Sequence, residues 1–406
     1  MSERVGLILA GGGSRGAYEV GVLSFVADHI PELLGSIRIL TGTSVGAVNA
    51  AFLASRGLDV AAVRELVAIW ESLQIDELLA VSRLGTAKLI GAASLRFLGR
   101  APKSPKSSLL SAQRIWRLVA RETFWPGIHK HIASRRFDAV AVCATEIRSG
   151  HAHLFLEHHD GVSNTWTPDP MLEVERTRLS PEHVLASAAI PFLFTPVQVN
   201  GRWFMDGGVR YNTPLGPAVG LGASSLFVVN TRTTREVLPD PTVFPGIGHM
   251  IGKLLDSVFL DRLTFDLDRL TRVNTMLAAV DDLGPEARAK FSEALEKRGR
   301  RAYRHVPFAV VQPTEDIGGI AAEFLSSEDA KDDGRPQSFM RVLRALFEDD
   351  TATLADAASY LLFDGAFAKR LIALGRRDAE TSQEALRALL RARAETTATP
   401  TSKRRA

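Results

Sequence analysis

A single cysteine, Cys143, occurs in 406 residues, so no disulfide can close within the chain. That scarcity fits a reducing compartment. Net charge is also slight, +3 at pH 7, which gives no electrostatic argument for nucleic acid as a partner. Nowhere does an apolar run approach the roughly 20 residues that a membrane-spanning helix needs. The N-terminal run VGLILA at 5–10 is too short for the core of a secretory signal. It also ends in glycines where a cleavage site would stand. These lacks lead to the expectation of a cytoplasmic protein, at most peripheral to a membrane. What is plentiful is core material: 46% hydrophobic against 23% charged residues, the balance of a globular protein.

The order of elements predicts a mainly parallel sheet. The run at 5–10 is wholly apolar and bounded by glycines, as suits a strand buried on both faces. From Ala17 to Ile30, Val22, Val26 and Ile30 recur at helical spacing, and Pro31 marks a stop. A second strand at 36–41 (SIRILT) and a small-residue helix at 47–56 follow. Strand–helix–strand–helix order predicts an α/β fold with helices packed on a parallel sheet. Further strands are expected at 137–144, 153–156, 197–199, 203–205, 226–230 and 306–311. Asn200-Gly201 supplies a two-residue hairpin turn between two of them. The chain reads as helical from about 236 to 303 and again from 314 to 393. Its clearest late segments are SFMRVLRALFED, LADAASYLLF and QEALRALLRARA, and the polar end at 396–406 is expected to be disordered.

Two glycine-rich turns carry the chemistry. Gly11-Gly12-Gly13-Ser14-Arg15-Gly16 matches the GxGxxG pattern of dinucleotide sites. Such a site also needs an acid at the end of the second strand to hold the ribose, and here that strand ends in Thr41-Gly42-Thr43-Ser44. The same loop serves equally as an oxyanion cradle. Glycines let backbone N–H groups approach a ligand, and the helix N-terminus adds positive potential. Gly42-Thr43-Ser44-Val45-Gly46 is GxSxG between a predicted strand and a predicted helix. That context forces the serine out of the sheet edge on a sharp turn, with glycines removing side chains that would clash. Both turns follow parallel strands and so share one sheet edge.

A neutral serine needs a general base. Ten histidines are present, but none stands in a strand-end loop flanked by small residues. The stronger candidate is Asp206, which follows the apolar WFM and precedes Gly207 and Gly208. A solvated carboxylate is a weak base, near pKa 4, so Asp206 must be desolvated to serve. An Asp-Gly turn closing a hairpin is the plainer alternative.

These residues resemble the patatin-like phospholipases. The resemblance rests on four blocks in order: the 11–16 loop with Arg15, the 42–46 elbow, Ala186-Ser187-Ala188-Ala189-Ile190-Pro191, and Asp206-Gly207-Gly208 followed by Asn212 and Pro214. It covers roughly residues 5–230. It implies a three-layer α/β/α fold and a Ser44–Asp206 dyad without a catalytic histidine. It also implies an oxyanion hole from Gly11, Gly12, Gly13, Arg15 and Gly16, release of fatty acid from a lipid or phospholipid ester, and neither metal nor cofactor. The catalytic domain is then expected over 1–312. A helical extension follows at 313–395, in which QPTEDIG and SYLLFD look similar to the tail of some bacterial members. Two alternatives stay open: acyl transfer by the same dyad, and a regulatory module using the glycine loop for a nucleotide.

Other residues invite duller readings. Arg15 either steers an anionic headgroup or, as favoured here, braces the loop by bonding carbonyls. His151, His153, His158 and His159 lack the acid or cysteine spacing of a metal site. Cys143, Trp203 and Phe204 read as core, with an acyl pocket as the alternative for the two aromatics. The segment from Leu84 to Lys106 mixes Leu89, Ile90, Phe97 and Leu98 with five basic residues. It reads either as a peripheral membrane contact or as a packed helix followed by a solvated loop. Oligomeric state is open.

Overall fold

Alternation along the first strand already shows why both faces of the sheet must be covered. In β1 (Val5–Leu9), Val5, Leu7 and Leu9 point into one hydrophobic core and Ile8 into a second on the other side. The same split recurs in β3 (Ala139–Glu146), where Val140, Val142 and Ala144 face one core and Ala139, Ala141 and Cys143 the other. Strands buried on both sides lose the polar alternation of a half-exposed sheet. The computed structural model describes residues 4–75, 117, 119–121, 123–162, 170–191, 194–233, 263–299, 302–327, 355–356 and 358–397, with side chains to residue 390. The segments 84–106 and 338–349, residue His249 and the end beyond 397 lie outside the described residues.

From β1 the chain makes a 3₁₀ turn at Gly13–Arg15 and enters α1 (Gly16–His29), then α2 (Pro31–Ser36), β2 (Ile37–Thr43), α3 (Val45–Arg56) and α4 (Val60–Glu71). Pro31 does end α1, but it also opens α2, where its missing N–H costs nothing. After α5 (Trp125–Ala133) come β3, β4 (Ala152–His158), β5 (Leu172–Arg176), α6 (Pro181–Ser187), β6 (Val197–Val199) and β7 (Arg202–Asp206). Then follow α7 (Leu215–Gly220), β8 (Ser225–Val229), α8 (Leu263–Asp282), α9 (Pro285–Glu296), β9 (Phe308–Val311), α10 (Ile317–Ser326), α11 (Gly365–Thr381) and α12 (Gln383–Thr397).

The sheet runs β5-β4-β3-β2-β1-β8-β9, with β7 added on β3 and β6 on β7. Pairings β1–β2, β1–β8, β2–β3 and β8–β9 are parallel. The expected hairpin is present, with Val199 opposite Arg202 and Asn200 and Gly201 both at positive φ. The fold is the three-layer α/β/α arrangement with a mainly parallel sheet and a helical C-terminal region. The late helices are not continuous, however. Ser359 is helical as expected, but Tyr360 to Asp364 leave the helical conformation, so YLLF is a turn and not the continuation of a helix. Trp203 is 47% exposed. It points away from the face that Phe204 and Asp206 bury, which corrects its reading as core.

α1 is buried almost all round because helices cover it from outside as well as from the sheet. α11 lies against it, the backbone carbonyl of Ile372 meeting Gly21 and that of Tyr18 meeting Gly375. Tyr18 Oη donates to Asp378 Oδ2 at 3.0 Å, and Thr314 donates to the same carboxylate through N and Oγ1.

Candidate active site

Register brings the serine and the aspartate together. β2 pairs with β3 only as far as Thr43 opposite Cys143, while β4 holds the other edge of β3 to Thr145. The edge that β2 vacates is taken by β7, running antiparallel, with Asp206 opposite Ala144. The first residue after β2, Ser44, therefore faces the last residue of β7. Ser44 Oγ donates a 2.6 Å hydrogen bond to Asp206 Oδ2.

Ser44 sits at φ 54°, ψ −124°, a conformation costly for a residue with a Cβ and held only by its surroundings. The flanking glycines make the bend possible. A Cβ on Gly42 would stand 2.5 Å from the Gly46 carbonyl oxygen, and one on Gly46 would collide with the carbonyls of Leu9 and Ala10. Ser187 fastens the bend from the other side: its Oγ accepts from Ser44 N at 2.8 Å and donates to the carbonyl of Cys143. Ser187 belongs to the small-residue block noted above, but nothing in the sequence marked it as the brace. Cys143 itself is fully buried, and burial pushes its thiol up to about 12.

Asp206 is fully buried. Its Oδ1 accepts from Gly208 N at 2.7 Å, its amide donates to Ala189 O, and its carbonyl accepts from Thr145 Oγ1. Desolvation raises its pKa to about 7, against the lowering effect of the bonds from Ser44 and Gly208. No described histidine lines the space around Ser44. His153 bonds Glu175, His129 bonds Glu157, His159 bonds Asp138, and His183 caps α6 with Ser180.

The glycine loop closes over the same point. Gly11, Gly12, Gly13, Ser44, Asp206, Asn212 and Tyr360 are among the residues lining a small pocket. Arg15 and Gly16 are not among its walls. Within the loop, Gly11 N donates to Asn212 O, Arg15 N to Gly12 O, and Gly16 N to the carbonyls of Gly13 and Ser14. Among the described residues the amides of Gly12 and Gly13 meet no protein acceptor. The segment after Asp206 also secures the strand ends: Thr43 Oγ1 donates to Tyr211 O and Thr41 Oγ1 to Pro214 O. Arg15 ties the loop to Asp356 and Ser359, bonding the backbone carbonyl of Asp356 as well as the Ser359 hydroxyl.

A second space opens beside the first. A larger apolar cleft begins at Gly13 and Ser44 and is walled by Val48, Phe52, Leu66, Trp70, Phe194 and Phe363. Asn49, one of its polar lining residues, is satisfied internally. Trp70 Nε1 donates to Asn49 Oδ1, and Asn49 Nδ2 donates to Gly16 O and Glu19 Oε2. Glu19, behind Asn49, is fully buried, and desolvation holds its pKa well above the usual carboxylate range.

Among solved structures the chain is similar to VipD from Legionella pneumophila, at 12% identity over 89% of this chain and 67% of that one, with a TM-score of 0.35. It is also similar to human GIVD cytosolic phospholipase A2 bound to methyl gamma-linolenyl fluorophosphonate, at 13% identity over 96% of this chain and a TM-score of 0.37. This chain spans 60% of that protein's length. A third likeness is to ExoU in its complex with SpcU from Pseudomonas aeruginosa, at 17% identity over 88% and 69% of the two chains, TM-score 0.29. The family model for patatin-like phospholipase matches residues 7–219. That span is more than half of the chain and takes in both Ser44 and Asp206, and the chain belongs to the patatin-like phospholipase family.

Proposed function

We propose that the protein is a serine lipid acyl hydrolase of the phospholipase A or lysophospholipase type, acting through Ser44 and Asp206. The observation that carries this reading is the 2.6 Å bond from Ser44 Oγ to a buried carboxylate whose pKa lies at about 7. A base of that strength takes a proton near neutral pH, where a solvated aspartate does not.

In the first step Asp206 takes the Ser44 proton as Oγ bonds to the ester carbonyl carbon. The resulting oxyanion is held by the amides of Gly12 and Gly13 and favoured by the N-terminus of α3. Collapse breaks the bond to the leaving alcohol, which receives the proton back from Asp206. Water then attacks the acyl-serine as Asp206 takes its proton, and on collapse the acyl–Oγ bond breaks, Asp206 returns the proton to Ser44 Oγ, and the fatty acid leaves. The acyl chain lies in the apolar cleft from Gly13 to Phe363, and the leaving alcohol faces Asn212 and Tyr360. Since no described helix is long and apolar enough to cross a membrane, encounter with a lipid surface is peripheral in this reading.

Labelling by a fluorophosphonate probe tests the proposal. Ser44 should be modified in the wild-type protein, and Ser44→Ala should be neither labelled nor active on p-nitrophenyl esters while keeping its fold. Undiminished hydrolysis by Ser44→Ala would reject it.

A further inference from the structure

The family match ends at residue 219, yet the glycine loop is anchored by residues well over a hundred positions later. Ser14 N donates to Tyr360 O at 3.0 Å and Ser14 Oγ to the carbonyl of Ser359. Arg15 Nε donates to Ser359 Oγ at 2.8 Å, and its terminal nitrogen reaches the carbonyl and carboxylate of Asp356. The guanidinium also stacks 3.9 Å from the centre of the Tyr360 ring. Gly13 has φ 57°, and any Cβ there would run into the Tyr360 carbonyl. The loop and this turn are thus fitted atom against atom.

We infer that Asp356, Ser359 and Tyr360 are positioning residues of the active site, setting the orientation of the Gly12 and Gly13 amides. The inference rests on the function proposed above. It follows from where the anchors fall. One end of the loop is fixed at Gly11, whose N–H bonds Asn212 O and whose carbonyl accepts from Thr231 Oγ1 at 2.6 Å. The other end is fixed at Ser14 and Arg15, both buried, by Asp356, Ser359 and Tyr360. Only Gly12 and Gly13 lie between. The direction of their N–H groups is therefore a function of both anchors, and donors off by about 1 Å lose about 100-fold in rate.

The turn is in turn held by the catalytic layer. Gly365 N donates to Leu73 O at 2.8 Å, and Phe363 stacks on Trp70 with ring centres 6.2 Å apart. Tyr360 borders the small cavity and Phe363 the apolar cleft. The C-terminal segment consequently forms wall and brace together. Because Arg15 is a buried cation, removing one acceptor leaves charge to be satisfied elsewhere, and the loop shifts to find it.

Ser359→Ala removes an acceptor of Arg15, Asp356→Asn removes the charge that pairs with it, and Ser359→Thr restores the hydroxyl. The readouts are kcat and KM on p-nitrophenyl butyrate, the second-order rate of Ser44 labelling by a fluorophosphonate, and the melting temperature. The phosphonyl oxygen of the probe must occupy the same donors, so kcat and labelling rate should fall together, by about 10- to 100-fold. KM should stay within about threefold, and Ser359→Thr should recover most of the rate. Folded variants with wild-type kcat and labelling rate, differing only in melting temperature, would overturn the inference and assign the contacts to stability. If Ser359→Ala does not fold, Asp356→Asn decides on the same criteria. Wild-type protein that is active but unlabelled at Ser44 would instead reject the proposed function, a result readily told apart from the first.

Discussion

Ser44 Oγ lies 2.6 Å from Asp206 Oδ2, and the carboxylate is sealed from solvent at 0% exposure. Burial makes the pair more than a hydrogen bond. It raises the pKa of Asp206 to about 7. Activity should then depend on the ionised carboxylate. A plot of kcat/KM against pH should rise through about 7 to a plateau on the alkaline side. A profile already flat from pH 5 upward would mean that Asp206 is ionised there and is not the limiting base.

The same shift has a cost in stability, and its sign is fixed. Unfolded, Asp206 titrates near 4; folded, at about 7. Between these values the native state holds a proton that the unfolded chain releases, so stability falls as pH rises. The penalty is absent below the lower value and complete above the upper. Asp206→Asn should therefore be more stable than wild type at pH 8, by up to roughly 4 kcal/mol, with the difference shrinking toward pH 4. Urea unfolding of both proteins at pH 5 and pH 8 measures it.

Ser187 joins two backbone groups, Ser44 N and Cys143 O. In Ser187→Ala both are left buried without that partner, which costs about 1–3 kcal/mol. The elbow also loses its brace, so kcat should drop about tenfold or more. Thermal unfolding together with steady-state kinetics separates the two effects. Wild-type kcat in the folded variant would show that the glycines alone hold Ser44.

Phe52 lies eight positions along α3 from Ser44, about 12 Å down the cleft at the helical rise. A larger ring there should bar long acyl chains and spare short ones. Phe52→Trp should lower kcat/KM for a sixteen-carbon p-nitrophenyl ester about tenfold relative to the four-carbon ester. An unchanged ratio would place the chain elsewhere.

The fold was legible wherever burial on both faces left an unbroken apolar run, as in β1, or where glycine marked a forced bend, as at Gly42 and Gly46. β5 escaped notice because LEVER sits at the sheet margin, where its glutamates meet Arg202, Asn200 and His153. Trp203 was misplaced although the period of two was available. Asp206 and Phe204 share the inward face, so Trp203 must point outward. Ser44 and Asp206 could be named from their turns, but their meeting depends on β7 filling the edge that β2 leaves on β3. That is a register between distant strands, which no local pattern encodes. The anchors at 356–360 were hidden for the same reason. SYLLF has helical periodicity, yet the helix ends at Ser359, and Tyr360 fits against Gly13 and Arg15.

The most direct test compares Asp206→Asn with single replacements of each of the ten histidines, measuring kcat on one lipid ester with folding checked throughout. Asp206→Asn should lose roughly 1,000-fold or more, as much as Ser44→Ala, because neither half of the pair acts alone. No histidine replacement should come near that loss. A histidine variant as inactive as Ser44→Ala, beside an Asp206→Asn that keeps most of its rate, would contradict the account.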